Sequence, residues 1–446
     1  MKAQPQNLPP PVKPFWIGGH FRPFRKQPVE FLTKLSQLGD VSYFTMGKQP
    51  VYLINHPEMV RDLLVVSANK FVKGRALQRA KNLLGEGLLT SEKEFHLRQR
   101  RLAQPAFHRA RIMGYANAMI EYGEKMADDW RDGETRDISR EMMRLTLYIV
   151  GKTLFSADVE KDAEDVGETM TTLVEMFDYL LLPFSEFLEK LPLPQSNRLR
   201  RARKKLDEII YGFINDRRQS GEDKGDLLSM LLLSTDEDGS QMTDKQVRDE
   251  CLTIFLAGHE TTANAMTWTW YLLSQHPEIE AKFHAELDQV LDGKSPTPED
   301  YANLKFTEMI LAESMRLYPP AWVVGRLSTE DHEFGGYKFS KNALILASPY
   351  LMQHDARFWE NPNEFIPERW ETVSVKEASN KFIYFPFGGG IRRCIGEQFA
   401  WMEGVLLLAT LGRKWNLHLA PDQKIAMQPL ITLRPKFGMK MELEKR

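Results

Sequence analysis

Cysteine is nearly missing from this chain, with two in 446 residues, Cys251 and Cys394. Two thiols cannot build a disulfide framework, and the expected compartment is a reducing one, the cytoplasm. An excess of charge of one sign is missing too. With 59 basic and 61 acidic residues the net charge is -2, which removes any global pull toward nucleic acid or an anionic membrane. Apolar runs are too short to span a bilayer, and the proline-rich opening MKAQPQNLPPPVKPFWIGGH has neither signal-peptide nor anchor character, so no membrane anchor is expected. Repeats, low-complexity tracts and flexible linkers are also lacking. The expectation is one large domain over residues 1–446.

What is present is mostly helical pattern. VSYFTMGKQPVYLI, from Val41 to Ile54, alternates apolar and polar residues around Gly47-Lys48 and predicts a β-hairpin. From Pro57 to about Ser234 apolar residues recur at three- and four-residue spacings. STDEDGSQM then reads as a solvated turn, with Thr243 as N-cap of a long helix whose second half is mostly apolar, as expected of an element that crosses the centre of the molecule. FTEMILAESMRLYPP is a further helix, stopped by Pro319-Pro320. Strand-like pieces follow, then an irregular Trp- and Pro-rich stretch, a helix from about Cys394 to Gly412, and terminal strands. The fold class expected is mainly α with a minor β part, built around a long central helix.

Four motifs carry chemistry. FPFGGGIRRCIG sets Cys394 among Gly388, Gly389, Gly390 and Gly396, with Phe387 seven residues before it. Glycines let several backbone N–H groups converge on one atom, and a thiolate is the atom that would need them. With no Cys or His at zinc spacing, a lone thiolate suits a haem iron; the plain alternative is a buried structural thiol. AGHETT places Gly258 mid-helix, where glycine costs about 1 kcal/mol relative to alanine, and puts Glu260 beside Thr261, an acid–alcohol pair able to pass protons. A zinc-protease HExxH is excluded, because position 263 is Ala. Glu313 and Arg316 form an i,i+3 pair in an apolar helix, and EMMR at Glu141 to Arg144 shows that the same pattern by itself is weak. His96 and Arg100 share one helix face and could clamp an anion, although basic surface helices read the same way.

In this order the motifs resemble those of the cytochrome P450 family, and the resemblance spans nearly the whole chain. The haem-binding signature Phe-x-x-Gly-x-x-x-Cys-x-Gly is matched at Phe387, Gly390, Cys394 and Gly396. The acid–alcohol signature is matched at Ala257, Gly258, Glu260 and Thr261, and the helix pair at Glu313 and Arg316, with Arg369 completing a Glu-Arg-Arg triad. His96 departs from the family's usual Trp but can still donate to a propionate; Arg100, Arg326 and Arg392 fall at the other propionate positions.

The resemblance implies a thiolate-ligated haem b, with Cys394 as the metal ligand, and a monooxygenase acting on O2 and a lipophilic small molecule such as a fatty acid or terpenoid. Gly258 would make room for O2, while Thr261 and Glu260 would deliver protons. A same-fold peroxygenase or isomerase would tend to lose the acid–alcohol pair, and a non-catalytic haem sensor would not need it. Electrons would come from a separate ferredoxin or flavodoxin with its NAD(P)H reductase, steered by Arg98, Arg101, Arg109 and Arg111; no fused reductase and a monomer are expected. By position the substrate pocket would be lined by Leu88, Leu89, Phe177, Leu180, Leu181, Ala257, Val323 and Val324.

Overall fold

The computed structural model describes residues 19–156, 167, 169, 172–173, 191–236 and 239–446. Their secondary structure is mainly helical, with small sheets. Although the sequence carries no linker, the chain groups into two compact units, each discontinuous along it. One gathers the described residues of Met1–Gln78 with Met315–Cys394, and the other Arg79–Ser314 with Ile395–Arg446. They are called the sheet unit and the helical unit below.

The sheet unit is built on the predicted hairpin. Strands Val41–Met46 and Gln49–Ile54 pair antiparallel, and Gly47 takes the left-handed conformation (φ 59°) that the two-residue turn demands. The strand Leu344–Ala347 joins parallel to the second of them, Val324–Ser328 pairs with that, and Phe71–Lys73 closes the edge. One face of this five-stranded sheet is sealed by Met59, Leu63, Leu64, Phe382 and Phe385, with Val324 packed against the same cluster. The strand at Phe71–Lys73 interrupts a stretch read as helical, because three residues are too few to show periodicity.

The helical unit is organised by Asp244–Gln275, the long central helix. Thr243 caps it as expected, in a reciprocal capping box with Gln246. The helix buries Phe255, Trp268 and Trp270 completely, which accounts for its apolar second half. Helix Ile138–Phe155 lies alongside. The Thr146 hydroxyl donates to the His259 carbonyl (2.9 Å), and a Cβ on Gly258 would come within 3.1 Å of a Val150 methyl. Helix Arg109–Asp129 packs on Glu397–Gly412 in the same way, with Gly123 against Thr410 and Leu407. Helix Lys93–Ala103 ends before Pro105, and Glu397–Gly412 starts three residues later than expected, because Gly396 is its N-cap. Among the described residues no helix is long and apolar enough to cross a membrane.

Candidate haem site

In the sheet unit the cysteine loop is held by its own backbone. The Gly388 N–H donates to the Phe385 carbonyl (2.9 Å), that of Arg393 to Gly390 (3.1 Å), and that of Cys394 to Phe387 (2.9 Å). Gly388 and Gly390 have φ of 71° and 64°, where other residues are strained. Gly390 is also a contact point, because a Cβ there would lie 1.9 Å from the Leu64 carbonyl oxygen. The result is a rigid turn that ends in an exposed thiol, with Phe387 and Arg392 half-buried in the same loop.

Behind the loop lies a buried arginine. Arg316 is wholly inaccessible and donates to the carbonyls of Gln353 (2.7 Å), Pro362 (2.7 Å) and Glu364 (2.9 Å). Its guanidinium lies 5.3 Å from the Trp359 ring centre, and that of Arg369 lies 5.9 Å from the same centre while donating to the Glu360 carbonyl at 2.9 Å. The two arginines of the expected triad therefore share one tryptophan, and Glu313 is fully buried. Sequence reading missed Gln353. Its amide donates to the Met315 and Arg316 carbonyls (both 3.0 Å) and its oxygen accepts the Phe385 N–H (3.1 Å), so it ties the arginine's helix to the first residue of the cysteine loop. Arg326 is buried in its strand and donates to the Gly325 carbonyl (3.1 Å). Val323 is half-buried, and Val324, also half-buried, packs against the core cluster of the sheet.

In the helical unit the acid–alcohol pair divides its roles. The Thr261 hydroxyl donates to the Ala257 carbonyl one turn back (2.7 Å), and Ala257 is exposed. Glu260, adjacent in sequence, points about 100° away around the helix. Its Oε1 accepts from the Thr432 hydroxyl (2.6 Å) and the Arg434 guanidinium (2.9 Å). One and two turns on, Asn264 donates to Thr432 (3.2 Å) and Trp268 to the Leu433 carbonyl (3.0 Å). Glu260 thus begins a stripe that grips the hairpin of strands Met427–Pro429 and Leu433–Pro435. Gly258 lies against helix Ile138–Phe155, where an added Cβ would come 3.1 Å from a Val150 methyl.

His96 is buried on helix Lys93–Ala103 with its Nδ1 3.4 Å from the Ser91 hydroxyl, and Arg100 is half-buried one turn on. The expected basic patch is partly neutralised, because Arg98 pairs with Asp236 (2.6 Å) and Arg101 lies 3.8 Å from the same carboxylate; Arg109 and Arg111 are exposed. Leu88 is buried and Leu89 half-buried. A Cβ on Gly396 would meet Phe107 at an ordinary 3.7 Å. Phe177, Leu180 and Leu181 lie outside the described residues.

The donors present fit a thiolate-bound haem. Burial holds the thiol of Cys251 well above its ordinary pKa, so it stays protonated and inaccessible, whereas Cys394 is presented on a turn that glycine alone can make. Among the described residues no group of three or more His, Cys, Asp or Glu side chains is placed to hold a different metal.

Comparison with known proteins agrees. The profile of the family described as Cytochrome P450 matches residues 9–441. The chain is 37% identical to cyclooctatin synthase of Streptomyces melanosporofaciens, with 94% of this chain and 91% of that one covered. It is 36% identical to cyclooctat-9-en-7-ol 5-monooxygenase of the same organism (92% of each chain), and 34% identical to pentalenene oxygenase of Streptomyces avermitilis (96% of each). The rigid cysteine turn, the buried arginine behind it and a match over nearly the full length make this chain a member of the cytochrome P450 family, the haem-thiolate oxidoreductases.

Proposed function

We propose that this protein hydroxylates a cyclic terpenoid, using haem b held by Cys394 and electrons from a separate ferredoxin or flavodoxin with its NAD(P)H reductase. The observation that carries the substrate class is the similarity, at 34–37% identity over nearly whole chains, to cyclooctatin synthase, cyclooctat-9-en-7-ol 5-monooxygenase and pentalenene oxygenase. The apolar character of Leu88, Leu89, Ala257 and Val323 supports it, since burying hydrocarbon at about 25 cal/mol per Å2 suits such a molecule and gives an ionic head group no partner. Residues 1–446 would act as one haem domain, monomeric and cytoplasmic. His96, Arg100, Arg326 and Arg392 would hold the propionates. Bound haem supplies the activation of O2.

The protein's part is to position the substrate and manage protons. The Thr261 Oγ1 proton is committed to the Ala257 carbonyl, which leaves the oxygen free to accept from solvent and to relay by rotating. To swing and join it, Glu260 would have to give up the hydrogen bonds from Arg434 and the Thr432 hydroxyl. Thr261→Ala should therefore lower product per NADH about tenfold, or about 1.4 kcal/mol of barrier, with the red-shifted band of the reduced carbon monoxide complex intact. Glu260→Gln should lower thermal stability and leave that yield within about twofold. The assignment fails if the two substitutions exchange effects. The substrate class fails if pentalenene and other cyclic terpenes leave the haem spectrum unmoved while saturated fatty acids shift it.

A further inference from the structure

The first turns of the central helix carry three consecutive buried charged residues that the haem site does not use. Arg248 bonds Asp207 of helix Pro194–Ser220 through its Nε (2.7 Å) and Asp249 through a terminal nitrogen (2.9 Å). Asp249 accepts the Glu86 N–H (2.9 Å) and pairs with Lys245 (3.0 Å). Glu250 is completely buried, and its Oε2 accepts the Leu88 N–H (2.9 Å). Residues 85–91 are thus fastened to side chains of the helix. They also lie flush on it, since a Cβ on Gly85 would fall 2.0 Å from the Asp249 carboxyl carbon and one on Gly87 2.3 Å from the Thr253 hydroxyl oxygen. Within the loop the Thr90 hydroxyl donates to the Gly85 carbonyl (2.6 Å), and the Thr90 and Ser91 N–H groups donate to Gly87 (3.0 and 2.9 Å).

The helix face involved decides the meaning. Residues 250, 253, 257 and 261 recur at three- and four-residue spacing, so Glu250, Thr253, Ala257 and Thr261 form one stripe. The loop occupies the first half of that stripe, and the second half carries Ala257 and Thr261. A buried carboxyl is expensive unless it is hydrogen-bonded, and here the bond it makes is to the Leu88 N–H. Burial, and then the neighbouring charge of Asp249, push the Glu250 pKa up to about 8, against the Leu88 N–H and the Gln99 side chain, which lower it. At neutral pH the group is mostly the protonated acid, for which glutamine is the isosteric stand-in.

We propose that Glu250 is a specificity-determining positioning residue: by holding the Leu88 N–H it fixes the Leu88–Leu89 edge against the same helix face that presents Ala257 and Thr261 to substrate. The proposal rests on the monooxygenase reading of that face. The test uses the haem-loaded protein, amide hydrogen exchange, and the product ratio from pentalenene. Glu250→Leu should speed exchange at Leu88 by about tenfold or more and shift the product ratio at least about twofold, whereas Glu250→Gln should restore both to near the parent values. Gly87→Ala, which lifts the same loop without touching the carboxyl, should shift the product ratio in the same way and keeps the test valid if Glu250→Leu does not fold. Unchanged exchange at Leu88 in Glu250→Leu would overturn the hold itself; faster exchange with an unchanged product ratio would overturn its link to specificity. The reduced carbon monoxide spectrum of the parent protein reports separately on the monooxygenase reading.

Discussion

The cysteine loop of the sheet unit and the Gly85–Ser91 loop of the helical unit are both glycine turns, and they are fixed by different means. In the first, the backbone donors of Gly388, Arg393 and Cys394 find carbonyls three to seven residues back. In the second, the donors of Glu86 and Leu88 go to carboxyls 163 and 162 residues away. A turn that closes on itself writes most of its requirement into one contiguous stretch and is readable there. A turn that closes on a distant helix leaves only Gly-x-Gly in its own sequence, which any surface loop could show.

The largest effect should come from breaking the self-closed turn. Gly390→Ala places a methyl 1.9 Å from the Leu64 carbonyl oxygen at a left-handed φ, so it should cost about 3 kcal/mol or more, with loss of haem retention and of the red-shifted carbon monoxide band. Parent-like haem content in that variant would show that the turn is softer than its geometry implies.

Removing the brace behind the turn should cost less. Gln353→Leu keeps the volume but leaves the Phe385 N–H and two helix carbonyls without their partner, an expected loss of about 2 kcal/mol by denaturant titration. Haem should still bind, because the loop's own hydrogen bonds remain.

The smallest effect sharpens the contrast through pH. Burial pushes both Glu250 and Glu403 up to about 8. An acid whose folded pKa is raised binds its proton more tightly in the native state, so its contribution is present below the unfolded value and is lost as pH rises to about 8. The melting temperature should therefore fall between pH 5 and 8, and Glu250→Gln and Glu403→Gln should each flatten that fall. A slope unaltered in both variants would remove the two carboxyls as its source.

Legibility in the sequence followed the same division. The Val41–Ile54 hairpin, the Thr243 cap and the cysteine turn depend on neighbours a few residues apart, and each was readable. The hydrogen bonds of Glu260 were not, since its partners Thr432 and Arg434 are 172 and 174 residues away. Gln353 was silent for a similar reason, as a single amide in an unremarkable helix end. At Gly258 helix packing and ligand access ask for the same missing side chain, and the sequence does not show that Val150 lies beside it.

The close helix contacts at Gly258 and Gly123 set a boundary for anyone seeking a hardier catalyst. Exchanging helix glycines for alanine is a common first library, worth about 1 kcal/mol per site where the space exists. Gly114 and Gly212 lie within helices Arg109–Asp129 and Pro194–Ser220 with nothing inside 4 Å of the added carbon, so they are the sites to spend such a library on. At Gly258 and Gly123 the same carbon would sit 3.1 and 3.0 Å from a neighbouring methyl, and heat tolerance sought there would be lost to crowding between the helices.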